Sequence, residues 1–207
     1  MKWLLSISLL IVVSCNQVES GAWPQGRVPY VLIGFNSDEA GDIYQSMLLW
    51  EFASKNRVKF IFRNIADEEN NDDPPLYIVK DGTTTGATGA GYFPDQLNIV
   101  FLHNVAPRAI LHELGHKLGL EHEHQRPDRD SYITIKWEEV SPGTESQFTL
   151  SNPELYNYTN YSYDYASIMH YSLKETSAID PHGHEIGSDT ISPLDALKLQ
   201  SIYDFGE

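Results

Sequence analysis

Residues 112–122 of the chain read His112-Glu113-Leu114-Gly115-His116-Lys117-Leu118-Gly119-Leu120-Glu121-His122. This is the pattern H-E-x-x-H-x-x-G-x-x-H, in which three histidines are spaced for a metal site. Residues four apart on an α-helix lie on one face, so His112 and His116 can point at the same ion. A zinc ion held by three protein ligands keeps a fourth position open for water. The sequence therefore predicts a zinc site suited to hydrolysis.

The third histidine of the motif needs a turn in the chain. His122 lies six residues after His116, too far round the same helix to reach the same ion. Gly119 stands where the chain must turn back, and glycine reaches the positive φ of such a turn without a Cβ clash. Glu113 would lie beside a water at the open zinc position and could accept its proton, because zinc lowers the pKa of that water. We expect one zinc ion, held by the three histidines, and a general base at Glu113.

A helix around the motif is predicted by its own signals. Ala106-Pro107 is a suitable start, because proline is tolerated in a first helical turn. Apolar residues follow at helical spacing and form a stripe that would pack into the core while the histidines face a cleft. The alternative, a solvated histidine-rich helix end, is disfavoured because this helix is present. The stripe consists of Ile110, Leu111, Leu114 and Leu118.

Segments downstream of the motif resemble the astacin family of metzincin zinc endopeptidases. Glu123 follows the third histidine directly, and a glutamate there marks astacins among the metzincins. Ser167-Ile168-Met169-His170-Tyr171 resembles the Met-turn of the family. The resemblance covers nearly all of the chain after residue 22. Other similar segments are Trp23, residues 28–30, residues 128–137 and residues 191–203.

The resemblance implies an α+β, zincin-like fold with two lobes. The N-terminal lobe would hold a mixed sheet with an edge strand and the active-site helix, and the irregular C-terminal lobe would end in a helix. Residues 97–102 would be the edge strand, with which an extended substrate pairs through main-chain hydrogen bonds. The implied activity is zinc-dependent hydrolysis of peptide bonds in extracellular or periplasmic proteins.

The resemblance also implies roles for three residues near the metal. Tyr171 would be a fifth, switchable zinc ligand that swings away to donate to the oxyanion of the tetrahedral intermediate; the alternative is an ordinary half-buried tyrosine. Met169 would form an apolar floor beneath the metal. Glu123 would be buried in contact with the mature amino terminus, and the alternative is a solvated carboxylate beside Glu121. His124 and His170 lie beside the motifs without metal-ligand spacing.

The first residues predict export from the cytoplasm. Residues 1–14 carry Lys2 and then an apolar run, which is typical of a secretory signal and too short to span a bilayer. Val12-Val13-Ser14-Cys15 resembles a bacterial lipobox, in which the cysteine is lipidated and becomes the first mature residue. The alternative is ordinary signal cleavage that leaves no anchor. We predict a lipoprotein-type signal peptide (1–14), a short tether (15–22) and an astacin-like domain (23–207), either anchored at the cell envelope or surface or secreted.

Two features depart from the family pattern. Cys15 is the only cysteine in the sequence, whereas astacins typically carry two disulfides, and this favours a bacterial origin. Residues 15–22 are too few for the inhibitory propeptide that many astacins carry. Gly41-Asp42 resembles part of a propeptide switch but lies inside a helical pattern. We therefore expect an enzyme that is active once it has folded with zinc.

The rest of the chain predicts one domain. Strands are expected at 28–35, 58–62 and 76–79, and helices at 42–55 and 191–203. Asp42 would begin the first of these helices, and Ser192-Pro193 the second. The acidic loop 67–73 could hold calcium but lacks a recognisable order of ligands. The loop 82–91 is rich in Thr and Gly. The apolar side of helix 42–55 would consist of Ile43, Met47, Leu48 and Phe52.

Charge narrows the range of partners. The formal net charge is −15, which argues against nucleic-acid binding and against attachment to anionic lipids through a basic patch. The expected partner is a protein or peptide substrate, and the expected state is a monomer. The family often favours acidic side chains just after the cleaved bond, a preference that Lys174 or another basic residue near the cleft would supply.

Two other classes of protein remain as alternatives. A catalytically silent binding or toxin-like protein could keep a structural zinc, but an intact Glu113 and an open fourth metal position speak against it. Another metzincin, such as a serralysin, is disfavoured by Glu123 and by the lack of Gly/Asp-rich calcium repeats.

Overall fold

A five-stranded mixed sheet and two helices form the N-terminal part of the protein, and turns with short 3-10 helices form most of the remainder. The computed structural model describes residues 21–64, 74–103, 105–152 and 160–206. The predicted α+β class is confirmed. The strands are β1 (Arg27–Ile33), β2 (Lys59–Phe62), β3 (Leu76–Lys80), β4 (Gly86–Ala87), β5 (Asn98–Leu102), β6 (Thr134–Ile135) and β7 (Ile179–Asp180), and the α-helices are α1 (Ser37–Ala53), α2 (Pro107–Lys117) and α3 (Pro193–Ile202). The 3-10 helices are Pro24–Gly26, Glu123–Gln125, Arg129–Ser131, Trp137–Glu139 and Glu145–Phe148.

The edge of the sheet differs from the prediction. The strand order is β2-β1-β3-β5-β4, with β4 antiparallel to β5 and the other pairs parallel. Residues 97–102 do not form the edge strand, because Gly86 and Ala87 fold back and pair with Phe101 and Val100. The Thr/Gly-rich loop 82–91 thus supplies a two-residue strand that covers β5. The outermost strand on this side of the described sheet is β4.

Helix α1 begins five residues before the predicted position. Asn36 caps it, because its Oδ1 accepts hydrogen bonds from the backbone N–H groups of Asp38 and Glu39 at 3.0 Å. The Glu39 carboxylate accepts from the Asn36 backbone N–H at 3.1 Å in return. This reciprocal capping box satisfies amide donors that the first turn leaves open. The prediction that Asp42 begins the helix is therefore wrong, and Asp42 lies in the second turn.

The buried face of α1 is also narrower than predicted. Ile43 and Met47 are buried, as expected. Leu48 and Phe52 are 38% and 81% exposed, so their assignment to the apolar side was wrong. The third buried apolar residue of this face is Trp50, which follows Ile43 and Met47 at the i, i+4, i+7 spacing of one helical face.

Helix α2 lies in the centre of the main core. Its predicted apolar stripe is confirmed, since Ile110, Leu111, Leu114 and Leu118 are all buried. Indole N–H groups join it to two other segments, because buried donors need partners. Trp50 of α1 donates to the Leu111 carbonyl at 3.0 Å, and Trp23 donates to the Lys117 carbonyl at 2.7 Å. These contacts fix α2 relative to α1 and to the segment around Trp23.

A second apolar cluster stabilises the C-terminal part. It is separate from the main core, and β6 pairs with β7 within it. The Met-turn and α3, in contrast, pack into the main core through Ile168, Met169 and Leu199. The buried members of the second cluster are Ile133, Ile135, Phe148, Tyr163, Ala178, Ile179 and Ile186.

Several predictions concern residues outside the described parts of the chain. The signal peptide (1–14), Cys15 and the acidic loop 67–73 with its calcium hypothesis all lie there, and these remain predictions. Gly21, assigned to the tether, pairs with Tyr92 through two backbone hydrogen bonds of 2.8 and 3.1 Å. The fold thus includes at least the last residues of that tether. Across the described ranges, no helix has the length and apolar character needed to cross a membrane.

The start of α1 can be tested with two alanine substitutions. Asn36→Ala is expected to destabilise the protein by about 1 kcal/mol, because it removes the capping oxygen, and to lower Tm by about 2–4 °C. Asp42→Ala, at an exposed position inside the helix, should change Tm by less than half as much. Thermal unfolding followed by circular dichroism measures both. A larger loss in Asp42→Ala than in Asn36→Ala would contradict this boundary.

Candidate metal centre

The three histidines of the motif are brought together by a helix and the turn that ends it. His112 and His116 lie one turn apart on α2, which ends at Lys117. Gly119 has a φ of +98°, and its N–H donates to the His116 carbonyl at 2.8 Å. This left-handed turn reverses the chain at the end of the helix. His122 therefore returns to the same point as the other two rings.

The imidazole nitrogens converge at a distance that fits zinc. His122 Nε2 lies 3.1 Å from His112 Nε2 and 3.2 Å from His116 Nε2. A tetrahedral zinc ion with Zn–N bonds of about 2.0–2.1 Å places its ligand nitrogens about 3.3–3.4 Å apart. These three residues thus form a group that could hold one zinc ion.

The outer nitrogen of each ring is held by an oxygen. A carbonyl oxygen can only accept, so each Nδ1 carries the proton and each Nε2 of a neutral ring presents a lone pair. Three lone pairs at this distance repel one another unless a cation lies between them. An acceptor on the distal N–H is also the usual companion of a zinc-ligating histidine. The pairs are His112 Nδ1 with Ile168 O at 2.8 Å, His116 Nδ1 with Leu120 O at 2.9 Å, and His122 Nδ1 with Gln125 Oε1 at 2.9 Å.

Burial keeps the three rings neutral. Desolvation is the largest cause that lowers the pKa of His112, and it lowers the pKa of His116 well below the usual value. Desolvation and the neighbouring His112 lower the pKa of His122 to about 3. Neutral imidazole is the form that binds a metal ion. The site therefore needs no deprotonation at neutral pH to accept zinc.

Glu113 and Tyr171 lie at the same site. Burial raises the pKa of the Glu113 carboxyl to about 7. The half-buried Tyr171 ring has its centroid 5.0 Å from that of His122. Burial, followed by the charges of Glu175 and Glu113, raises the pKa of the Tyr171 phenol. The phenol thus lies beside His122, and the Glu113 carboxyl is near enough to Tyr171 to act on its pKa.

The Met-turn approaches α2 at a glycine. A Cβ added at Gly115 would lie 2.6 Å from Met169 Sδ and 3.0 Å from Trp50 Cζ2. A larger residue at this position would require Met169 or Trp50 to move. Gly115 stands at a variable position of the zinc motif, where the motif itself gives no reason to expect a constraint. Its missing side chain allows Met169 to pack directly against the helix that carries His112 and His116.

The C-terminal helix holds the Met-turn in place. Asp195 of α3 accepts hydrogen bonds from Ser167 Oγ at 2.6 Å and from the Ile168 N–H at 2.9 Å. The Ile168 carbonyl is in turn the acceptor for His112 Nδ1. Sequence reasoning missed this role. The available signal, a capping box between Ser192 and Asp195, predicts only the helix start.

Glu123, which follows the third histidine, is 1% exposed, so the solvated alternative is wrong. Its Oε1 accepts from Arg126 Nη1 at 3.1 Å and from the Asp164 N–H at 2.8 Å. Its Oε2 accepts from Lys198 Nζ at 2.5 Å. Because residues 1–20 are outside the described ranges, the expected contact with the mature amino terminus stays a prediction.

His124 and His170 pack around the tyrosine. The His124 ring centroid lies 4.2 Å from that of Tyr171, and its Nε2 lies 3.0 Å from the Gln147 carbonyl oxygen. His170 Nδ1 lies 2.7 Å from the Tyr171 carbonyl oxygen, and its Nε2 lies 2.8 Å from Tyr163 Oη. Both imidazoles are buried. They support Tyr171 and lie outside the group of metal ligands.

A cavity of about 570 Å³ opens beside the segment that follows Tyr171. Arg108 lines it, but its guanidinium is paired with Glu175 at 2.6 Å and with Asp189 at 3.5 Å. Lys174, the basic residue expected near the cleft, also lines this cavity and is exposed. The cavity therefore contains both charged pairs and an accessible ammonium group.

Comparison with known proteins identifies the family. The sequence profile of the Astacin peptidase family matches residues 15–204. The chain belongs to the astacin family. Since astacins are zinc metalloendopeptidases, the predicted cofactor, Zn²⁺, is confirmed by the family and by the histidine group. The predicted bacterial origin of this astacin stays a prediction.

Curated relatives of this astacin are longer proteins. It is 32% identical over 200 residues to Zinc metalloproteinase nas-8 of Steinernema carpocapsae, which covers 88% of the chain and 44% of that protein. It is 32% identical over 197 residues to Zinc metalloproteinase nas-4 of Caenorhabditis elegans, covering 88% and 59%. It is 36% identical over 158 residues to Tolloid-like protein 1 of Homo sapiens, covering 72% and 14%. The chain thus spans less than two thirds of each of these relatives.

Solved structures support the zincin-like fold of this astacin. High choriolytic enzyme 1, a hatching enzyme zinc-protease from Oryzias latipes, matches with a TM-score of 0.75 and 25% identity, covering 92% of the chain and 96% of the enzyme. Myroilysin matches with a TM-score of 0.67 and 20% identity, covering 92% and 98%. The second similarity concerns the fold alone.

The close approach of the Met-turn can be tested by filling Gly115. Gly115→Ala is expected to destabilise the protein by about 1–3 kcal/mol, because the new methyl group overpacks the space against Met169 and Trp50. Gly41→Ala is the matched control, since Gly41 is an exposed helical glycine with nothing within 4 Å. That change should stabilise by about 0.5–1 kcal/mol. Urea unfolding of both variants provides the comparison, and equal effects would show that Gly115 is not a packing constraint.

Proposed function

We propose that this astacin is an endopeptidase that uses zinc to hydrolyse peptide bonds of proteins outside the cytoplasm. The observation that carries the proposal is the convergence of three neutral imidazole nitrogens, with His122 Nε2 3.1 and 3.2 Å from the other two. A buried carboxylate and a phenol at the same point supply the remaining groups that peptide hydrolysis needs. A purely structural zinc site would not need them.

Glu113 acts as the general base in this proposal. Bound zinc supplies a Lewis acid that polarises the peptide carbonyl and acidifies water. Glu113 accepts a proton from the attacking water and later returns it to the leaving amine. The burial that raises the pKa of this carboxyl favours both steps near neutral pH. The three histidines hold the metal and leave a position open to solvent.

Tyr171 stabilises the oxyanion in this proposal. Its phenol stays protonated because burial and the nearby carboxylates raise its pKa. An O–H group beside the reacting carbonyl can donate a hydrogen bond as negative charge develops there. At rest, the same oxygen would serve as a fifth zinc ligand, as the family resemblance implies. The contacts of its ring with His124 would then guide the change between the two positions.

The substrate binds in extended form along β4. This short strand is tied to α2, because Lys117 Nζ donates to the Thr88 carbonyl at 3.1 Å. The strand therefore runs close to the helix that carries the zinc ligands. Main-chain pairing would accept many sequences, and Lys174, in the cavity beside the segment that follows Tyr171, suits an acidic side chain of the substrate.

The enzyme works as an exported monomer in this proposal. Residues 1–14 direct export, and Cys15 carries a lipid that tethers the protein to a membrane through residues 15–22. The partner is a protein or peptide substrate. The mass of the native amino-terminal peptide tests the tether, since an unmodified first residue would rule it out.

The role of the carboxylate is tested by Glu113→Gln. This change should reduce kcat/KM for a peptide library by about 10²–10⁴-fold, because glutamine accepts no proton. Zinc content per chain should remain unchanged. Mass spectrometry of the digest, with and without a chelator, together with metal analysis measures these effects. Glu138→Gln, at an exposed site, is the control that keeps activity. Cleavage that survives the chelator or Glu113→Gln would contradict the proposal.

The role of the phenol is tested by Tyr171→Phe. Loss of the O–H donor should lower kcat by about 10²–10³-fold with little change in KM, since the hydrogen bond forms mainly in the transition state. Tyr44→Phe serves as the control, because Tyr44 is 52% exposed on α1. Steady-state kinetics on a single peptide identified from the library gives both constants. A raised KM with an unchanged kcat in Tyr171→Phe would instead show that Tyr171 contributes to substrate binding.

A further inference from the structure

A buried ion cluster lies behind the third zinc ligand. Glu123 follows His122 and is 1% exposed, Lys198 of α3 is 2% exposed, and Arg126 is fully buried. The Glu123 N–H also donates to the Met169 carbonyl at 3.1 Å. The residue after His122 is therefore held both by its backbone and by its carboxylate.

Direct contact assigns Lys198 to Glu123. Arg126 pairs with Glu123, but it also forms two hydrogen bonds of 2.8 Å with the carboxylate of Asp128. Its charge is thus shared between two acids. Lys198 Nζ lies 2.5 Å from Glu123 Oε2 and adds the second positive charge. Removing one partner of a buried pair leaves an uncompensated charge, which is strongly unfavourable.

Helix α3 also holds the segment that positions the first zinc ligand, His112. Asp195 and Lys198 are three residues apart on α3 and so lie on one face. Asp195 fixes Ile168, whose carbonyl holds His112, and Lys198 fixes Glu123, which follows His122. Two ligands thus depend on two neighbouring charged residues of one helix.

We propose that Lys198 is the internal counter-ion that positions Glu123 and His122, so that the zinc site forms without a free amino terminus at Glu123. An ε-ammonium group supplies the same charge and hydrogen-bond donors as an α-ammonium group. The inference rests on the zinc site of the proposed function, and Lys198 acts as a positioning residue.

The first test measures zinc affinity by competition with a chelator. Lys198→Met should weaken zinc binding about tenfold, the effect expected when a supporting partner of a metal ligand is lost. Lys198→Arg should weaken zinc binding less than Lys198→Met does, because the positive charge is kept. Lys59→Met is the matched control, since Lys59 pairs with Glu51 at 2.8 Å on the surface. Unchanged affinity in Lys198→Met would overturn the inference.

A second variant separates positioning from stability. Glu123→Gln combined with Lys198→Met removes both charges of the pair. The double variant should therefore recover most of the Tm that Lys198→Met alone loses. Zinc affinity should stay several-fold below that of the wild type, and the absorption spectrum of the Co²⁺ form should remain altered. If affinity and spectrum return with Tm, Lys198 has only a structural role and the inference fails.

The third test concerns the amino terminus. An uncleavable extension of about twenty Gly and Ser residues, which stays a flexible coil, should change zinc affinity and peptide cleavage by less than twofold. A tenfold loss in either quantity would overturn the inference, because it would show that a free terminus is needed. Wild-type protein that binds zinc tightly but cleaves no peptide would refute the proposed activity and leave the affinity test valid. Failure of the wild type to bind zinc would overturn both.

Discussion

The zinc site depends on three unprotonated imidazole nitrogens that lie about as far apart as two ligand atoms of one zinc ion. His122 Nε2 lies 3.1 and 3.2 Å from its neighbours, so each ring must be neutral, and each Nδ1–H must be held elsewhere. The acceptors come from three segments: Leu120 after α2, Gln125 in the following 3-10 helix, and Ile168 in the Met-turn. The metal centre is therefore a tertiary structure, and only two of its ligands are placed by one helix.

This constraint explains why the two lobes are joined so closely at the site. Because Gly115 has no side chain, Met169 packs directly against α2. Asp195 joins the Met-turn to α3 through hydrogen bonds to Ser167 and Ile168. The three nitrogen lone pairs repel one another when no cation lies between them, and a bound zinc ion replaces this repulsion with attraction. Zinc binding therefore adds to the stability of the folded chain. The C-terminal helix thus contributes to metal binding although it carries none of the ligands.

The sequence predicted those features that arise from local spacing. The zinc motif, the stripe of α2 and the start of α3 follow from periodicity and capping within a few residues. The start of α1 was missed because the capping pair Asn36 and Glu39 precedes the apolar pattern. Strand β4 was missed because two residues, Gly86 and Ala87, have no periodicity. The partner of Glu123 lies 75 residues away, and no local pattern indicates such a pair.

The proposed tether and the proposed counter-ion are physically compatible. Cys15 precedes Gly21, the first described residue, by six positions, and a fully extended chain covers about 20 Å over that length. In the proposal, the lipidated Cys15 lies in a membrane, so its amino group would not at the same time pair with the buried Glu123 carboxylate. An ammonium group supplied by Lys198, 2.5 Å from Glu123 Oε2, removes that conflict. The amino end is then free to serve as an anchor, while α3 performs the charge neutralisation behind the metal site.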